Sequence, residues 1–241
     1  MQKRLIPAQK SLIPACDFTN GFYLEKLIVG TAGIPEIGAY KIGCITGLSL
    51  GLADSVAIIR AHSAIPIIYD HQKAATDNPE LGKNFAQMLR AAKIDSAILF
   101  PFSGRDTEDA WIKALQDADI HPIVGAEMTH NGFFAQNDGY IVDDAPDRIF
   151  ERALALHVRD FVVPGNRPER VATYRRYFER MLGSNEIFTL YAPGFITQGG
   201  SISETDKVAG SNWHPIVGRA LYGQFYPADI HAKALELIAE L

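Results

Sequence analysis

Short apolar, β-branched runs alternate with longer amphipathic segments along the whole sequence, and this rhythm constrains the fold more than any other feature. The strand candidates are Leu12–Phe18, Ala39–Cys44, Ile65–Asp70, Ser96–Phe102, Pro122–Met128, Asp160–Pro164, Ile187–Tyr191 and Pro215–Ala220. Most are near-continuously apolar rather than alternating, as parallel strands buried on both faces must be. Helix candidates lie between them, among them Leu52–His62, Leu81–Ala92, Glu108–Ala118, Asp147–His157, Pro168–Leu182 and Ala228–Leu241. Asp54 and Asp144 stand near first turns, and Pro168 follows Arg167 at a first helical position, where its missing N–H costs nothing. Eight β–α units of about 30 residues fill the 241 residues and leave no room for a second domain. An unbroken rhythm of this length predicts one α/β domain over residues 1–241, a single (β/α)8 TIM barrel, in preference to a doubly wound sheet.

Composition narrows the function classes. With 47% hydrophobic and 21% charged residues the chain is neither disordered nor collagen-like. Lys+Arg is 23 and Asp+Glu is 28, a formal net charge of −5. That balance argues against non-specific nucleic-acid binding, which needs a basic patch to displace counterions. A small phosphorylated ligand stays open, since one or two cations and a few backbone amides can hold it. The two cysteines, Cys16 and Cys44, imply no disulfide framework. The opening MQKRLIPAQKSLIPACDF is a poor signal peptide, because Gln, Lys and two prolines break its apolar stretches. No apolar run approaches the roughly 20 residues that span a bilayer. The expectation is a cytoplasmic enzyme with free thiols and no membrane partner.

In a barrel, polar residues at the carboxyl ends of strands face the active site, whereas those at the opposite end serve stability. The first strand candidate runs into Asp17, the second carries Lys41, and the third ends in Tyr69-Asp70-His71-Gln72-Lys73. The fifth ends in Glu127-Met128-Thr129-His130, the sixth runs into Pro164-Gly165-Asn166, the seventh into Pro193-Gly194, and the eighth holds Gly218-Arg219. Two lysines and at least two carboxylates therefore converge on one mouth. Lys41 sits in an apolar strand, where a lysine is costly unless paired; the alternative is a surface lysine at a strand edge. Asp70 and Lys73 form a candidate counter-charge pair, the alternative being a solvated loop pair worth little. From Gly194 to Trp213 the chain reads GFITQGGSISETDKVAGSNW, a long, polar, Gly/Ser-rich stretch placed where a lid loop would be expected.

Other chemistries lack their signatures. The seven histidines, at 62, 71, 121, 130, 157, 214 and 231, show no metal-ligand spacing, so no metal is expected. There is no GxSxG elbow, no Walker lysine loop and no GxGxxG turn. Gly218-Arg219 is the better phosphate candidate, because loops after strands seven and eight of this fold commonly bind phosphate through amides with an arginine as counter-ion.

Taken together, Asp17, Lys41-Ile42-Gly43, Asp70/Lys73/Asp77, Glu127-Met128-Thr129, Pro193-Gly194 with Gln198-Gly199-Gly200, and Val217-Gly218-Arg219 resemble the orotidine 5′-monophosphate decarboxylase family across nearly the whole chain. The pairing of a PG…QGG motif with a downstream VGR is the most specific part. The resemblance implies a cofactor-independent decarboxylation of orotidine monophosphate to UMP in pyrimidine biosynthesis, by a homodimer with sites near its interface. It implies that Asp17 binds a ribose hydroxyl and that Lys41 bonds to the ribose and the carboxylate array. It further implies that Asp70 lies near the substrate carboxylate, that Lys73 protonates C6, and that Asp77 reaches into the partner's site. Thr129 stands where the family has a serine that contacts the pyrimidine. Pro193 belongs to the substrate-binding set, and Gln198 and Arg219, with the Gly218 amide, would grip the 5′-phosphate. The family's Asp-x-Lys-x-x-Asp spacing is one residue longer in each gap here, so a bulge or an early strand end after Asp70 must re-aim Lys73. Two rivals remain: a magnesium-dependent phosphosugar decarboxylase or synthase of the same superfamily, and a barrel that binds a phosphorylated ligand without catalysis. In the first, the second-strand position resembles a metal-binding Glu, where this chain has Lys41.

Overall fold

The computed structural model describes residues 4–71, 75–183, 187–223 and 230–241. Eight parallel strands, each hydrogen-bonded to its sequence neighbour, close when the last pairs with the first. They are β1 (Ile13–Cys16), β2 (Tyr40–Gly43), β3 (Ile67–Asp70), β4 (Ser96–Leu99), β5 (His121–Gly125), β6 (Asp160–Val162), β7 (Thr189–Pro193) and β8 (Trp213–Val217). The helices are α1 (Gly21–Thr31), α2 (Cys44–Leu50), α3 (Leu52–Arg60), α4 (Leu81–Ala91), α5 (Arg105–Asp117), α6 (Ala145–Ala155), α7 (Pro168–Leu182), α8 (Ile202–Ala209), α9 (Arg219–Tyr222) and α10 (Ile230–Ile238). This is the expected (β/α)8 barrel.

Alternation along each strand sorts side chains into two cores. Outward residues such as Tyr40, Ile42, Ile67, Ala97, Val124, Phe161, Leu190 and Trp213 pack beneath the helices in one large cluster. Inward residues Ile13, Ala15, Ile68, Ile98, Phe100, Ile123, Val162, Tyr191 and Ile216 fill the barrel itself. The same alternation turns Lys41 and Asp70 inward. Lys41 lies beside Ile68, and Gly43 lies beside Asp70, in the β2–β3 register.

Three sequence expectations need correction. The eighth strand was expected at Pro215–Ala220 but starts and ends earlier, at Trp213–Val217. Trp213 and His214 pair with Leu190 and Tyr191 of β7, and Gly218, with φ −105° and ψ −106°, ends the strand. Arg219 therefore begins a helix rather than sitting on a strand. The Gly194–Trp213 stretch is not one long loop, because its second half is α8. Ser201 caps that helix by accepting from the Glu204 amide at 3.2 Å, a serine followed three residues later by a glutamate that marks a helix start in sequence. Its first half, 194–200, is a tight turn in which Gly200 N–H donates to Gly194 O and Ile196 N–H to Gly200 O. Gly194 takes φ +113° there, a conformation glycine adopts without strain. Finally, the seventh strand was expected at Ile187–Tyr191 and runs Thr189–Pro193, since Ile187 is on the surface. The start of the expected Ala228–Leu241 helix lies outside the described residues.

Candidate active site

At the carboxyl end of the barrel the strand ends enclose a cavity of about 510 Å³. Its base carries the charges. Lys41 is 5% exposed and Asp70 7%. The Lys41 Nζ donates to Asp70 Oδ2 at 3.0 Å, and Asp17 Oδ1 lies 3.9 Å away on the other side. Burial pushes the Lys41 pKa down, but the charges of Asp70 and Asp17 and the hydrogen bond to Asp70 outweigh it, so the ammonium is held well above its ordinary range. The sequence alternative of a surface lysine is excluded: this lysine is a fixed, buried positive charge flanked by two carboxylates.

Gly43 makes that triangle possible. A Cβ built on Gly43 would lie 2.0 Å from Asp17 Oδ1 and 3.4 Å from Lys41 Nζ. Its backbone is ordinary (φ −86°), so the requirement is one of space rather than conformation. The neighbouring Cys16 thiol is pushed far up, first by burial and then by the Asp17 charge, and it packs in the outer core without chemistry.

Around this base stand Thr129, Pro193, Gln198, Gly218 and Arg219, all lining the same cavity. Arg219 is exposed at the rim and pairs with no acid among the described residues. The Tyr222 ring closes the wall beside Phe18, with centroids 4.6 Å apart. Its hydroxyl is pushed up to about 12, by burial first and then by the Asp17 charge. Sequence reasoning did not single out Tyr222 or Ile45, both of which line the cavity. Each follows a named motif by two or three residues, and that proximity was the available signal.

The expected convergence of Glu127 takes a different form. Glu127 lines the cavity, but its carboxylate is engaged on the far side. Arg167 Nη1 donates to Oε1 at 3.0 Å and Arg170 to Oε2 at 2.6 and 2.8 Å, and the Tyr174 hydroxyl also donates to Oε2. Arg167 also donates to the carbonyl of His130 at 3.0 Å, and Asn166 Nδ2 to that of Thr129 at 3.1 Å. The network therefore holds the loop that carries Thr129.

Lys73 lies outside the described residues, and one other predicted position does not line the cavity. Asp77 is exposed and does not line the cavity; its carbonyl accepts from Thr107 Oγ1 at 2.9 Å, which ties the segment to α5. The early strand end that the unusual spacing required is present, because β3 stops at Asp70.

No family model matches the chain. The orotidine 5′-phosphate decarboxylase of Methanosarcina barkeri is 32% identical over 196 residues, spanning 80% of this chain and 82% of that protein. The chain belongs to the orotidine 5′-phosphate decarboxylase family. The Methanosarcina mazei decarboxylase is 31% identical over 197 residues, covering 81% and 83% of the two chains. Among solved structures, the orotidine 5′-monophosphate decarboxylase of Methanocaldococcus jannaschii, complexed with the inhibitor BMP, superposes with a TM-score of 0.80. It is 24% identical and covers 97% of this chain and 99% of that one, so it speaks to the fold. The Pyrococcus horikoshii decarboxylase is 26% identical with a TM-score of 0.75, covering 95% and 98%. Among the described residues no helix is long and apolar enough to cross a membrane.

Proposed function

We propose that this decarboxylase converts orotidine 5′-monophosphate to UMP, a step of pyrimidine biosynthesis, and that its own side chains carry the reaction. The observation that supports this best is the Asp17–Lys41–Asp70 array, with Lys41 and Asp70 buried, beside a rim bearing Arg219. In the reaction the bond from C6 to the carboxylate carbon breaks, carbon dioxide leaves, and the electron pair stays on C6. The ring carbonyls delocalise that pair poorly, so fixed charges must stabilise it. Lys41 supplies one positive charge already oriented by two acids, with no reorganisation needed as negative charge develops. In this reading Lys73 supplies the second charge and the proton that ends on C6, an assignment that rests on the family resemblance. Asp70 lies near the departing carboxylate, Asp17 and Lys41 hold the ribose, and Thr129 and Pro193 border the pyrimidine. Gln198, the Gly218 amide and Arg219 grip the phosphate, whose binding energy can be used in the transition state.

The enzyme acts as a homodimer in this proposal. Asp77 is exposed and does not line its own cavity, and on α2 the cavity-lining Ile45 and its neighbour Leu48 are 50% and 77% exposed. A partner covering this face would bury them and bring Asp77 to a second site. Among the described residues no group of three His, Cys, Asp or Glu could hold a metal, and Lys41 stands where the magnesium-dependent rivals need an acid.

Loss of orotidine monophosphate absorbance with EDTA present tests the reading directly. Metal-independent turnover that disappears in Lys73→Ala supports it, turnover that EDTA abolishes supports the metal-dependent rival, and tight binding without turnover supports the non-catalytic barrel. Mixing inactive Lys41→Ala and Asp77→Ala chains tests the dimer, because activity returns only if Asp77 completes the partner's site.

A further inference from the structure

A second cavity, of about 620 Å³, lies outside the barrel between α5, α6 and the loop after β4. Glu108, in the first turn of α5, is on its wall. This residue is 3% exposed, and its Oε1 is buried with no hydrogen-bond partner. A carboxyl group in that position destabilises the fold unless something completes it. Burial above all, and then the Asp109 charge, push its pKa up to about 8 against the pull of Arg152. At neutral pH it is therefore largely a carboxylic acid, able to donate one hydrogen bond and accept another.

The rest of the cavity restricts what could complete it. Arg105 and Arg148 line it, are exposed, and pair with no acid among the described residues, whereas Arg152 is engaged by Asp109. Three guanidinium groups against the one further carboxylate in the lining, that of Glu151, disfavour a cation. Phe102 and Ile149 form an apolar wall, and Tyr140, 100% exposed, stands at the edge with no packing of its own. The ligand that fits is flat and anionic, with a donor–acceptor edge for Glu108, a ring for Phe102 and a charged group for the two arginines.

We infer that this cavity is a second ligand site, separate from the reaction cavity, for a nucleoside monophosphate. The two cavities are neighbours: the Phe102 ring centroid lies 5.6 Å from that of Phe100, which lines the reaction cavity.

Calorimetric titration with AMP, GMP, CMP and inorganic phosphate tests the inference on the intact enzyme. At least one nucleotide is expected to bind saturably and more tightly than phosphate. Binding should weaken roughly tenfold, the scale of one lost hydrogen bond, in Glu108→Leu, and by more in the Arg105→Ala/Arg148→Ala double variant, where charge-assisted contacts are lost. Arg219→Ala, in the reaction cavity, should leave the Glu108-dependent binding unchanged. Glu108→Leu should melt at a higher temperature than the wild type, which separates lost binding from misfolding. The inference is overturned if no nucleotide binds at millimolar concentration, or if either cavity variant binds normally. Loss of the Glu108-dependent binding in Arg219→Ala, or phosphate binding as tightly as the nucleotides, also overturns it. Sedimentation in which Tyr140→Ser splits a dimer would show instead that a second copy covers the cavity, with the same consequence.

Discussion

The two ends of one barrel bury polar groups to opposite effect. At the carboxyl end, Lys41, Asp70 and Asp17 set one positive charge between two acids beside an open cavity. At the amino end the polar groups largely answer one another. His121 Nε2 and Asp160 Oδ2 lie 2.7 Å apart, the Tyr191 hydroxyl donates to Asp160 Oδ1 at 2.9 Å, and Ser11 Oγ meets His214 Nδ1 at 2.8 Å. His214 is kept neutral, its pKa pushed down to about 4 by burial above all. One end is arranged to act on something brought to it, the other to hold strand ends together. Proteins of this fold divide their labour in the same way.

Mutations at the two ends can break that contrast. Lys41→Ala should have the largest effect. It leaves two acids uncompensated around the cavity, and kcat/KM for orotidine monophosphate should fall by about 10³-fold, the upper range for removing one preorganised charge. A variant within tenfold of wild type would deny the upper end its special status.

The floor should respond to pH rather than to substrate. The His214 pKa is depressed in the folded state from 6.5 to about 4, so the unfolded chain takes up the proton first. Its contribution is complete above pH 6.5 and is lost as pH falls toward 4, about 3 kcal/mol in all. Urea unfolding at a series of pH values should show wild type losing that much more than His214→Phe across the window, while kcat at neutral pH is shared. Parallel pH profiles would contradict the assignment.

Gly43→Ala sharpens the comparison further. The added methyl must displace the Asp17 carboxylate, and a shift of about 1 Å in such a site can cost about 10²-fold in kcat/KM. The melting temperature should hardly move, because the change adds no buried polar group. Smallest of all, Ser201→Ala removes the α8 cap and should cost about 1 kcal/mol by thermal melting. The loss of substrate affinity should be slight, since the 194–200 turn keeps its own hydrogen bonds.

Much of this was legible in the chain itself. Parallel strands buried on both faces leave continuous apolar runs, and eight of them in order at this length favour a closed barrel over the doubly wound sheet that shares the rhythm. The polar residues at their carboxyl ends then pointed to Asp17, Lys41, Asp70, Thr129 and Arg219, and all five line the cavity. What stayed hidden depends on geometry between elements. The partners of Glu127 come from α7 and from Arg167 just before it, some 40 residues further along the chain, and only the packed barrel brings them together. The α8 helix was hidden by its own polarity, since Gly and Ser around it read as loop while the Ser201–Glu204 cap was present. The shift of β8 toward Trp213 reflects pairing with β7, a tertiary choice that a short apolar run cannot disclose.

The position of Gly43 carries a further lesson about where such chemistry resides in a sequence. An inventory of acids, bases and nucleophiles passes over the one residue whose absent side chain lets the others approach. The catalytic alphabet of this barrel thus includes an empty letter, and a variant chain that kept each ionisable group but filled that gap would read as intact while its charges stood out of place.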